Sequence, residues 1–169
     1  MNPRAALASC GFVLAAACSD GSGPSVPPAG AFSAQLTGSR FGTLSGTSNA
    51  GEVFTEELNG FFAIRMFDES GDVLRFVILD CPGETAPAVG TYAIGPAAAC
   101  HGRYGRAISS LETGFVMTEV AEAAGGRLTI TAFTGGEIDG AFAFHGELIA
   151  DSIPTGTLSV AGAFRAVVF

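Results

Sequence analysis

Four cysteines, two histidines and a scatter of carboxylates are the residues through which this chain could do bond-making chemistry. Cys100 is followed directly by His101, and a thiolate beside an imidazole is the beginning of a metal site. Structural metal centres need three or four ligands at tight spacing, and neither C-x-x-C nor H-x-x-x-H occurs here. His145 lies two residues from Glu147, yet no G-x-S-x-G elbow supplies a nucleophile for it. It reads as a surface histidine, and Ser45, Ser109 and Ser110 read as ordinary strand and loop serines. Asp68, Ser70 and Asp72 alternate as the first ligands of a calcium loop do, but no downstream Glu completes the series. They read instead as a hairpin turn of five residues, Asp68 to Asp72. Glu56 and Glu57 are adjacent, so on a strand they point to opposite faces and cannot flank one substrate. No catalytic residue, metal or cofactor is therefore expected, and an enzyme is the least supported class.

Composition narrows the partners. The formal charge is −8, all eight basic residues are Arg, and they form no cluster along the chain. A phosphate backbone is repelled by such a surface, so no nucleic-acid partner is expected. Apolar residues make up 48% of the 169 residues and Gly contributes 24, which suits one domain of many short strands and tight turns.

The first thirty residues read as an address and a tether. Arg4 precedes an uncharged run, Ala5 to Ala17, that is too short to span a bilayer as a helix and fits the core of an export signal. The stretch "VLAAAC" before Ser19-Asp20 resembles the lipobox of bacterial lipoproteins, with Ala15 where that family commonly has Leu. The resemblance implies cleavage before Cys18 and acylation of Cys18, with residues 1–17 as signal peptide and a membrane-anchored location in the bacterial cell envelope. "LASC", ending at Cys10, fits the same pattern but leaves only Ala5 to Ser9 as a signal core. Plain secretion without lipid is the remaining alternative. Residues 18–30 then form a Pro-broken polar tether, at most about 40 Å long when extended. With Cys10 and Cys18 assigned to the leader and the anchor, Cys81 and Cys100 remain. Nineteen residues apart and flanking "GTYAI", in an exported domain they most simply close a disulfide.

Positioning these residues falls to a single domain over 31–169. "AFSAQLTG", "RLTITAF", "IDGAFAFHG" and "GTLSVAGAFRAVVF" alternate apolar and small or polar residues with the period of two that marks half-buried strands. Turns are expected at Thr134–Gly136 and Pro154–Gly156. "FFAIRMF" and "VLRFVIL" are apolar on both faces and read as a central pair buried on both sides. Ala121 to Gly125 reads as a loop or a helical turn. Glycine recurs inside strands at Gly60, Gly140 and Gly162, as expected where a sheet bends to close. Phe142, Phe144, Leu128, Ile130, Phe164 and Val168 share one parity and should face the interior. "VGTYAIG", "GRLTITAFTGGEIDGAFAFHG" and "GTLSVAGAFRA" also resemble uncharacterised bacterial lipoproteins, and that resemblance implies an antiparallel domain but carries no activity. The expected fold is all-β, 8–10 antiparallel strands in a closed or nearly closed barrel of lipocalin-like form, with a β-sandwich as the alternative. The expected function is a binding module for a small apolar ligand, a glycan or a protein; the alternative is a structural envelope component without ligand. A roomy interior would favour the first and a Phe-filled interior the second.

Overall fold

The computed structural model describes residues 26–55, 58–83, 85–110 and 114–169, without the side chains of residues 54, 55, 58 and 59. Cys10, Cys18, the expected signal segment, most of the expected tether and the Glu56-Glu57 pair lie outside the described residues. The domain is all-β. Ten strands follow in order: β1 (Ala31–Gly38), β2 (Gly42–Thr55), β3 (Leu58–Ser70), β4 (Val73–Pro82), β5 (Gly90–Ile94), β6 (His101–Ser110), β7 (Gly114–Glu122), β8 (Gly125–Thr134), β9 (Glu137–Ala150) and β10 (Ile153–Val168).

Antiparallel pairing runs β1–β2–β3–β4–β6–β7–β9–β10 and returns to β1, a closed ring of eight strands. β8 continues β7 along the edge of β9, and β5 pairs with β8 where β6 has not yet begun. The chain is thus an up-and-down meander, and the ring can be described as a barrel or, flattened, as a sandwich. One end carries the β1/β2, β3/β4 and β9/β10 turns and the paired ends of β6 and β7, Ser110 opposite Gly114. The chain enters at the other end: Gly30 lies against Val167, and the Val168 N–H donates to Gly136 O in the β8/β9 turn.

Several local expectations need correction. The β9/β10 turn is Asp151-Ser152, not Pro154–Gly156; both residues have positive φ (48° and 68°), the left-handed pair that a two-residue hairpin demands. Pro154 sits inside β10 at a bulge, one of the few strand positions a residue without N–H tolerates. The β3/β4 turn needs only Gly71-Asp72, with Gly71 at φ 59°, so Asp68 to Ser70 belong to β3. Ala121 to Gly125 is strand at both ends. Residues 27–30 are not free tether either: Pro27 is buried, and Gly30 O accepts from the Ser48 N–H at 2.7 Å. β3 and β4 are buried on the inner face but only half-covered outside, where Arg65, Phe67 and Ile78 keep some exposure.

The ring is filled by side chains from nearly every strand. Phe32, Ile64, Met66, Leu79, Phe142 and Phe164 are among those in one continuous apolar cluster. Phe142, Phe144, Leu128, Ile130 and Phe164 all face inward as expected, and Val168 packs against the cluster partly buried. Gly140 stands opposite Phe164, and a Cβ there would fall 2.5 Å from Phe164 Cζ and 2.6 Å from Thr129 O. The missing side chain is what lets the ring of Phe164 lie across β9. A bulge between Ile130 and Ala132 adjoins Gly140. Gly162 has no such bulge; it lies where β1 comes close, and a Cβ there would run into Ser33 O. On β10 Ala163, of the opposite parity to Phe164, is buried as well.

Candidate functional site

Cys81 and Cys100 form a disulfide, with Cα atoms 4.3 Å apart. Its place follows from the strand order. β5 and β6 run in the same direction, and between them the chain makes an excursion over residues 95–100. That excursion is closed at its base by Gly95 N–H to Cys100 O and Cys100 N–H to Ala93 O, both 3.0 Å. Cys81 sits near the end of β4, beside the point where the excursion rejoins the sheet. The bond staples the two, and both cysteines are buried in the core.

Beside the staple lies a groove of about 550 Å³, on the outer surface at the end of the ring where the chain enters. Phe61 of β3, Pro82 of β4 and Ala98 and Ala99 of the excursion give it apolar walls. Asp80 and His101 face each other across the β4–β6 ladder at its floor. Asp80 is half-buried, and its Oδ1 is inaccessible and has no hydrogen-bond partner among the described residues. Burial pushes the Asp80 carboxyl above the usual carboxylate range, against the pull of Arg103. The Arg103–Glu122 pair on the rim (2.6 Å) is more than half exposed on both sides and contributes little to stability. A volume of this size, mostly apolar with the half-buried Asp80 carboxyl at its floor, suits a small molecule with a largely apolar body and a single donor.

Of the residues singled out by type and spacing, Cys81, Cys100 and His101 are brought together here. His145 is elsewhere, exposed on β9 in register with Gly125 and Ser159, and Glu147 is likewise exposed. Asp68 is not a surface turn residue: it is buried, accepting from Arg75 Nη2 (2.8 Å) and the Ser45 N–H (3.1 Å). Among the described residues no three His, Cys, Asp or Glu side chains are placed to hold a metal ion. Asp80 was the residue the spacing did not single out. Its signal was present as the one acid closing the apolar run "VLRFVIL" immediately before Cys81. The chain matches no protein-family model, no curated protein and no solved structure at a significant level.

Proposed function

We propose that this chain is an extracytoplasmic binding module, tethered to a bacterial membrane through lipid on Cys18, that carries a small and largely apolar molecule in the groove beside the disulfide. The observation that carries the reading is that groove, with apolar walls, a desolvated Asp80 and a covalent staple holding its two sides in place. Preorganised walls lower the entropy a ligand must forfeit on binding. The groove opens at the same end of the ring as the tether, so an apolar molecule leaving the membrane would meet it first. A disulfide is at home in an oxidising compartment, which agrees with export.

A structural envelope role without ligand is the second reading, and the filled interior of the ring favours it. Cargo analysis separates the two. The chain is purified from its own envelope and extracted with organic solvent, and the extract is compared by mass spectrometry with that of an Ala99→Trp variant whose new side chain fills the groove. A small molecule in the first and not the second supports binding; identical extracts support the structural role. Fatty-acid labelling that survives in Cys18→Ser would remove the anchor from this reading and point to Cys10.

A further inference from the structure

At the other end of the ring the apolar core meets a charged layer. Tyr104 points inward from β6 and is 1% exposed, and its hydroxyl reaches a recess of about 320 Å³ in the mouth of the ring. Arg40, Phe41, Arg75, Arg106 and Glu119 also line this recess. A phenol hydroxyl both donates and accepts, so at the recess it can meet either kind of polar group. Glu119 is 5% exposed; its Oε1 accepts from Arg40 Nε (3.0 Å) and Nη2 (2.6 Å), while its Oε2 is buried with no partner among the described residues.

The charges do not balance. Arg75 Nη2 donates to Asp68 and Arg106 Nη1 donates to Thr118 Oγ1, so three guanidiniums meet two carboxylates, Asp68 and Glu119. One positive charge is left over, and among the described residues Arg75 and Arg106 each use one of their N–H groups in a side-chain hydrogen bond. A guanidinium fork is matched by a carboxylate. The Tyr104 hydroxyl and the Glu119 carboxylate, both lining the recess, are matched by hydroxyl groups, one to accept from or donate to Tyr104 and one to donate to Glu119. Phe41, 82% exposed at the lip, offers a flat apolar surface of the kind that packs on the C–H face of a sugar ring.

We propose that this mouth is a second binding site, independent of the groove, and that its ligand is an acidic sugar: a hexuronate unit whose carboxylate pairs with Arg75 and Arg106 and whose hydroxyls meet Tyr104 and Glu119. The site faces away from the tethered end, so it can reach glycan outside the membrane layer while the groove faces inward.

Titration calorimetry of the full-length chain tests it, with D-glucuronate and D-galacturonate as probes and D-glucose, acetate and inorganic phosphate as controls. At least one uronate should bind ten times more tightly than glucose or acetate. Tyr104→Phe, which keeps the ring in the core, should weaken that binding severalfold, and Arg106→Gln should abolish it, with melting temperatures near the parent's showing that both variants fold. A uronate oligomer binding more tightly than the monomer identifies a polymeric source, and equal affinity a free sugar acid; either outcome supports the site. Phosphate or acetate binding as tightly as the uronates would overturn the sugar assignment. No uronate binding, or binding unchanged in both variants, would overturn the site itself.

Discussion

Replacing Phe164 by Ala should be among the most damaging single changes to the ring. The side chain is fully buried, lies 6.4 Å from Phe142 between ring centroids, and fills the space that Gly140 leaves on the neighbouring strand. Deleting a fully buried aromatic ring removes its transfer free energy and leaves a void that strands on both sides hold open, a loss of about 3–5 kcal/mol. That is a large part of the stability a domain of this size has to lose. Gly140→Ala attacks the same contact from the other side: its new methyl would meet Phe164 Cζ at 2.5 Å and Thr129 O at 2.6 Å. Overpacking of this kind costs about 1–3 kcal/mol. The two changes should not add, because removing the Phe164 ring relieves half of the clash. In a double-mutant cycle followed by urea unfolding and circular dichroism, Gly140→Ala should cost less in the Phe164→Ala background than alone. A loss below about 1 kcal/mol for Phe164→Ala, or strict additivity with Gly140→Ala, would refute the packing described.

Other consequences are as direct. Thiol counting on the denatured, unreduced chain should find Cys81 and Cys100 unreactive, and replacing both by Ala should cost about 3 kcal/mol from the loop they close. Two further titratable thiols would refute the bond. Because burial raises the pKa of Asp80, the folded state holds that proton more tightly than the unfolded state; stability from this group is present at low pH and falls as pH rises above about 4. Asp80→Asn should therefore raise the melting temperature at neutral pH and leave it unchanged in acid, and a variant that melts lower at neutral pH would contradict this. Burial, with the Glu119 charge adding to it, pushes the Tyr104 hydroxyl up to about 12. In an ultraviolet titration, absorbance lost in Tyr104→Phe should belong to the late-ionising fraction; loss from a phase near 10 would refute it.

Much of the ring was legible in local sequence because alternation reports which face of a strand is buried, and "IDGAFAFHG" and "GTLSVAGAFRAVVF" alternate without ambiguity. The disulfide was legible by cysteine bookkeeping. Pro154 misled because proline usually marks a break, whereas a bulge accommodates it and the backbone instead turns two residues earlier, at Asp151-Ser152, both of turn-forming type. The break between β5 and β6 is hidden because it depends on how β8 continues β7, a pairing between residues far apart in sequence. The groove is hidden for the same reason. Phe61, Asp80 and Ala99 are brought together by the β3–β4 and β4–β6 pairings and the disulfide, and no local pattern records that. The charged mouth is less visible still: Arg40 and Glu119 are seventy-nine residues apart, and each alone reads as a solvated surface charge.

The most direct test of the binding proposal is fluorescence titration of the chain with N-phenyl-1-naphthylamine, a neutral apolar probe that brightens out of water and carries one N–H donor. Saturable brightening in the parent, lost in Ala99→Trp and weakened in Asp80→Ala, is the predicted result. Brightening that is absent from the parent, or unchanged when Ala99→Trp fills the groove, would contradict it.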